Sequence, residues 1–207
     1  MHQSSMGAMA RFVDEHLASR RGRQLSVLDV GSMDVNGSYR TLFDDPAWSY
    51  TGVDMAPGAG VDKVLPGPYD WSSIQTASFD VVVSGQAFEH IEYPWVTILK
   101  VARVLRPGGL VCIIVPSAGY EHRYPVDCWR YYPDGLRALA RWADLDVIDA
   151  ATDWEPAGDY SDDSALWADS VLVAAKRRER PRPQATAKQE VLRRVTRLQA
   201  ARRQTAT

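Results

Sequence analysis

Four side chains in two short stretches carry the strongest chemical potential of this 207-residue chain. Glu89 and His90 follow closely on the run Phe79-Asp80-Val81-Val82-Val83-Ser84. His122 and Asp127 lie within Gly119–Tyr132, GYEHRYPVDCWRYY. An imidazole is neutral near pH 7 and takes up a proton readily. Within hydrogen-bond reach of a hydroxyl it is a general base, a role worth roughly 10²–10⁴ in rate. Blander roles stand beside this one. His90 could hydrogen-bond backbone or orient Glu89, and His122 with Asp127 could form a loop held by a local salt bridge to Arg123. Glu89, Glu121 and Asp127 also offer carboxylate oxygens, the ligands Mg²⁺ prefers, although their spacing does not demand a metal.

A second set of polar residues ends apolar runs. Leu25–Val30 has the length and β-branched content of a buried parallel strand. It breaks at Gly31 and continues through Ser32, Met33, Asp34, Val35, Asn36 and Gly37. Such a turn lets backbone approach a ligand where side chains are missing. No Lys follows, so it is not a nucleoside-triphosphate loop. It is not G-x-G-x-x-G either, which argues against a pyrophosphate cofactor. Ser49–Asp54 reads as a second strand ending in an acid, where a doubly wound fold accepts hydrogen bonds from ribose hydroxyls. The alternative is an Asp that merely opens a turn.

The elements that must hold these residues follow in order. Residues 6–18 have helical spacing and predict a helix over the sheet edge. A short helix is expected over 38–45, ended by Pro46. Val61–Leu65 reads as a third strand, broken by Pro66-Gly67-Pro68, and Ser78–Ser84 as a fourth. A helix over Glu92–Val104 leads through Leu105-Arg106-Pro107-Gly108-Gly109 into a strand over Val111–Pro116, the Pro ending the helix and the glycines making the turn. Asp134–Trp142 is amphipathic, and Leu145–Ala150 pairs with Ser170–Ala175. The acidic, Trp-containing segment 153–169 between them reads as a substrate-facing loop.

In this order the motifs resemble the class I S-adenosylmethionine (SAM) methyltransferases. The carriers are Val27-Leu28-Asp29-Val30-Gly31 with its small-residue turn, Asp54-Met55, the FDVVVS run with Gln86 and Glu89-His90 beyond it, and the L-R-P-G-G turn. Met33 departs from the family pattern, standing where a second Gly is expected. The resemblance implies an α/β, doubly wound, Rossmann-like seven-stranded sheet whose last strand is antiparallel, over residues 1–176. It implies that Asp29, Gly31, Ser32, Asn36 and Gly37 hold the methionine end of SAM, and Asp54 and Met55 the ribose. Asp70 and Trp71 fall where the family contacts adenine, with an N-capping Asp and a core Trp as the alternative. Gln86 is expected at the cofactor, and Glu89 and His90 face the ligand. The segment after strand five, where these enzymes insert substrate-recognition elements, resembles carbohydrate and natural-product enzymes, including the sugar O-methyltransferases of methylmannose polysaccharide precursors.

Composition narrows the function. Hydrophobic residues at 45% and charged residues at 24% describe an ordinary globular domain. No apolar run approaches the ~18 residues of a membrane span, and no secretory signal is recognisable. Two cysteines without a metal or disulfide spacing suit the cytoplasm. From Lys176 onward there are eleven Lys/Arg against two Asp/Glu, leaving 13 against 24 in the rest. An acidic body argues against a nucleic-acid surface, as does the absence of an N/D-P-P-Y-type motif after strand four. Residues 177–207 are expected to form a basic tail, a linker followed by a helix over Gln189–Arg203. The expected activity is SAM-dependent O-methylation of a sugar or oligosaccharide, with Mg²⁺ as an option and a homodimer as the assembly. The alternatives are a polyketide, phenol or quinone acceptor, and a SAM-binding protein without catalysis.

Overall fold

The computed structural model describes residues 2–154, 160–179, 187 and 190–191. Helix α1 (Gln3–Phe12) runs on through a π turn at Val13–Leu17 and a 3-10 turn at Ala18–Arg20. The strands are β1 (Leu25–Val30), β2 (Trp48–Asp54), β3 (Lys63–Val64), β4 (Phe79–Gly85), β5 (Leu105–Pro116), β6 (Leu145–Thr152) and β7 (Asp169–Lys176). Helices α2 (Pro94–Val104), α3 (Pro133–Trp142) and the short α4 (Ser164–Trp167) complete the elements. The strands form one sheet in the order β3-β2-β1-β4-β5-β7-β6. β1 to β5 pair in parallel, and β7 runs antiparallel to both β5 and β6.

Successive residues of the central strands enter opposite cores, which is why these strands are apolar throughout rather than alternating. Val111, Ile113 and Val115 of β5 face the core under α2 and α3, with Leu28, Trp71 and Leu136. Leu110, Cys112 and Ile114 face the other, with Val27, Val83 and the α1 residues Met9 and Phe12.

Three elements differ from the sequence reading, and the leading helix, expected over the sheet edge, packs instead on the face of β1, β4 and β5. The helix expected over 38–45 is a 3-10 turn, Tyr39–Leu42. The Asp45 carboxylate accepts from the amides of Gly22 and Ala47, a local bond that competes with helix. Strand β3 has two residues rather than five, because Asp62 turns back to accept from the Gly52 amide at 2.7 Å. The L-R-P-G-G segment is not a connection before β5. Phe79 pairs with Leu105 and Val81 with Leu110, so residues 106–109 bulge out opposite Asp80 alone. Gly108 at φ +78° makes that bulge possible. The tail helix expected over Gln189–Arg203 lies, but for two residues, outside the described residues.

Candidate active site

At the carboxyl ends of β1 and β2 the turn from Gly31 to Gly37 meets Asp54. The amides of Gly31 and Ser32 both donate to Val53 O, at 2.9 and 3.2 Å. Gly31 has φ +80°, and a Cβ there would come within 2.5 Å of the Ala87 methyl, so the strand ends close up only with small residues. Met33 is tolerated in place of Gly because its side chain packs on Gly58, itself free of one. The Asp54 carboxylate accepts from the amides of Met33 (3.3 Å), Met55 (2.7 Å) and Ala56 (3.3 Å). These bonds bind the turn to the end of β2 and fix the carboxylate without exhausting its acceptor sites. Both earlier readings of Asp54, turn former and ribose acceptor, are compatible with them. Val35, Asn36 and Gly37 are exposed, and Asp34 accepts from the Gly37 amide.

This corner fits an S-adenosyl cofactor at its ribose and methionine ends. The acid is pre-aligned, the turn backbone is open, and the buried Ser32 hydroxyl has no hydrogen-bond partner. Asp29 is buried and accepts from the Tyr50 hydroxyl at 2.6 Å. Burial pushes its carboxyl up to about 7, against the Tyr50 hydrogen bond. The adenine contact is different. Trp71 is 2% exposed, lies in the core and donates its indole N–H to Pro68 O, so the stacking expected of it gives way to packing. Asp70 accepts from the Ser72 amide at 3.0 Å, a turn-opening role, and stays partly exposed. Gln86, at φ +53°, donates inward to Asp169 at 2.8 Å. Asp169 also accepts from Ser4, tying α1 over this end of the sheet.

The second corner lies past β4 and β5. Glu89 and His90 sit on a 3-10 turn, Phe88–His90. The loop from Ser117 to Tyr131 folds back onto it: the amides of Cys128 and Trp129 donate to Glu89 O, and the Tyr131 hydroxyl donates to Phe88 O. Arg130 organises that loop. It forks onto both oxygens of Asp127, at 2.6 and 2.8 Å, and donates to the carbonyls of Ala118 and Tyr120. The hydrogen bonds from Arg130 hold Asp127 down at about 2. Asp127 also accepts from the His122 amide.

These contacts bring His122 beside His90, with ring centroids 4.9 Å apart and edge to face. His90 Nδ1 faces Val126 O, which leaves Nε2 as the basic nitrogen, 3.6 Å from Glu89 Oε1. His122 Nδ1 lies 3.3 Å from Asp127 Oδ2, off the line of a hydrogen bond. Glu89 is fully buried and neither carboxylate oxygen has a partner. Burial pushes its carboxyl up to about 8 and the His90 imidazole down. The all-oxygen set expected for Mg²⁺ is not assembled: Glu121 turns to solvent with Arg123, and Asp127 is taken by Arg130. Around this corner Tyr93, Trp95, Tyr124, Trp129 and Tyr132 are exposed aromatics.

The sequence reading missed Tyr50, Arg130 and Asp169. Arg130 was within reach of it, three residues after Asp127 in the same loop. Asp169 carries no local signal, because its partners arrive from α1 and β4. Both cysteines are free. Among the described residues no helix is long and apolar enough to cross a membrane. A cavity lined by Arg20, Arg23, Asp80 and Arg178 lies at the amino ends of the strands, the wrong end for a switch-point ligand.

Comparison with known proteins places these corners in context. Residues 28–113 match the family described as Methyltransferase domain. An uncharacterized methyltransferase of Mycobacterium tuberculosis is 30% identical over 132 residues, covering 56% of this chain and 49% of that protein. The chain thus spans about half the length of the curated relatives it matches. Among solved structures, Burkholderia thailandensis 1,6-didemethyltoxoflavin-N1-methyltransferase, with bound 1,6-didemethyltoxoflavin and S-adenosylhomocysteine, is similar at TM-score 0.63 and 20% identity. It covers 84% of this chain and 78% of that one. The cyclase SpnF is similar at TM-score 0.57 and 18% identity, covering 81% and 80%. At such identities the likeness is one of fold, and a cyclase among the neighbours shows that this fold hosts more than one chemistry.

Proposed function

We propose that this chain, a class I SAM-dependent methyltransferase domain, transfers a methyl group to a hydroxyl of a sugar or oligosaccharide, a mannoside precursor of methylmannose polysaccharide being the narrowest form of the reading. The carrying observation is the Glu89–His90–His122 cluster, buried on its carboxylate side and open only along its imidazole edges. SAM supplies, when bound, an electrophilic methyl carbon on a sulfonium. The chain's own part is to hold the two reactants and to manage one proton.

Asp54 and the Gly31–Gly37 backbone are assigned to the cofactor, with Asp29, Ser32, Asn36, Met55 and Asp70 beside them. His90 Nε2 is the basic atom nearest the open edge, and burial keeps that imidazole neutral below its usual range. A neutral imidazole can take the acceptor's proton, and His122 is the second candidate for it. The Val126 carbonyl holds the ring from behind at Nδ1, and Glu89 Oε1 lies 3.6 Å from the same Nε2 that would take the proton. Arg130 and Asp127 position His122 without touching the acceptor. The exposed rings of Tyr124 and Trp129 suit the apolar faces of sugar rings, and the polar groups between them suit hydroxyls.

Placement in the cytoplasm and assembly as a homodimer belong to the same reading; the two free cysteines support the first. An apolar polyketide, phenol or quinone acceptor is the second reading, favoured by the same aromatics. The test is methyl transfer from labelled SAM to matched mannosides, other glycosides and phenols. Label in mannosides that is lost with His90→Ala supports the reading, and label only in phenols replaces it.

A further inference from the structure

We propose that Glu89, His90 and His122 form a site for a divalent transition-metal ion, of the Zn²⁺, Fe²⁺, Mn²⁺ or Co²⁺ class. One donor atom from each residue lies within 4.8 Å of the other two, and this is the metal-competent cluster among the described residues. Two ligands at about 2.0–2.1 Å from one ion sit about 3.0–3.4 Å apart. The 3.6 Å between His90 Nε2 and Glu89 Oε1 is close to that span, and the His122 donor lies within 4.8 Å of both.

Two further features point to a ligand rather than to a chance meeting of polar groups. Glu89 is fully buried, and both carboxylate oxygens lack any hydrogen-bond partner. A buried, unpaired carboxylate is among the costliest groups a fold can carry, and such groups are paired or bind metal. His90 is also arranged as ligands usually are. The Nδ1 of His90 faces the Val126 carbonyl, which fixes the tautomer and leaves Nε2 bare. The His122 ring stands against the Asp127 carboxylate, itself anchored by Arg130. Ligands of this kind routinely have a carboxylate or carbonyl behind them.

Donor chemistry selects the ion. Two imidazoles and one carboxylate suit borderline ions and leave Mg²⁺ and Ca²⁺, which need mostly oxygen, poorly served. Three protein ligands leave coordination positions open, and both imidazoles are partly exposed. The site itself stands on this geometry; its use rests on the hydroxyl-acceptor reading above. There a bound cation would lower the acceptor hydroxyl's pKa directly; in the metal-loaded protein His90 and His122 would be ligands, and the base role given to His90 above belongs to the metal-free protein.

The experiment is titration of the EDTA-treated, full-length protein with Co²⁺, followed by visible absorption, and with Zn²⁺ and Mg²⁺ by calorimetry. Expected is one equivalent of Co²⁺ or Zn²⁺ per chain, with at least tenfold weaker binding in Glu89→Gln and His122→Gln and no saturable Mg²⁺ binding. S-adenosylhomocysteine binding by the same variants reports that they are folded. Absence of stoichiometric Co²⁺ and Zn²⁺ binding, or equal binding in wild type and both variants, overturns the site. Metal binding without mannoside methylation, in metal-loaded protein, defeats the acceptor reading and leaves the site standing. Mannoside methylation unaffected by EDTA, in protein that binds no metal, does the reverse.

Discussion

The two corners of the site treat their acids in opposite ways. Asp54 is partly exposed and takes hydrogen bonds from three backbone amides. Glu89 is fully buried and takes none. A carboxylate satisfied in advance by backbone is suited to a neutral partner, such as a ribose hydroxyl, because the pairing needs no compensation for charge. A carboxylate left unsatisfied in the interior costs free energy until a proton or a cation reaches it. One corner is therefore finished by folding and the other by its ligand.

That contrast is sharpened most by Glu89→Gln. Turnover should fall about 10²-fold or more, while the metal-free protein becomes more stable. The sign follows from the raised pKa. The unfolded chain ionises Glu89 from near pH 4.5, whereas the folded chain resists until about 8. Wild type should lose stability relative to the variant across that window, by roughly 5 kcal/mol at most, with no further change above it. Urea melts at acidic and alkaline pH read this directly, and a pH-independent difference would break the contrast.

Next in size is Arg130→Ala, which leaves the Asp127 carboxylate, only 3% exposed along its side chain, without its cation and with the His122 amide as its remaining donor. A loss of about 3 kcal/mol is expected at neutral pH. Because Asp127 is held down at about 2, its contribution is complete above the ordinary carboxylate range. It fades as pH falls toward 2, so the variant's deficit should shrink there in acid denaturation. Asp54→Ala is milder. Calorimetry should show S-adenosylhomocysteine affinity falling about tenfold, the worth of one charged hydrogen bond, with stability changed by less than about 1 kcal/mol. Unchanged affinity would return Asp54 to a turn former. Trp129→Ala is smallest: the acceptor KM rises about fivefold, or about 1 kcal/mol, with kcat within about twofold. A fall in kcat alone would remove Trp129 from the acceptor platform.

The corner around Gly31 and Asp54 was the more legible in sequence because its signals are local. A strand, a small-residue turn and an acid at the next strand's end lie in one continuous stretch, and Leu25–Val30 forms the strand expected of it. Short-range competition escaped the reading. Nothing in the pattern of 38–45 or 61–65 tells that Asp45 and Asp62 would turn back to bond backbone and cut those elements short. Trp71 shows a related limit, since its place in the sequence suggests a cofactor contact while its own ring fills the core. At the other corner the residue types were legible and their meeting was not. His122 reaches His90 only because Arg130 folds its loop back.

The first helix has a consequence for how the chain is made. Ser4 donates to Asp169, Gln3 to Asp162, and the Ser4 amide to Ser164. Synthesis delivers the first of these residues long before the last. Until β7 has emerged, the leading helix has only its contacts to Tyr39, Gln86 and the core at that end, and β5 presents a bare hydrogen-bonding edge. A growing chain therefore passes through a long interval of exposed strand. Emergence of the chain through β7 both covers that edge and supplies the partners of Gln3 and Ser4.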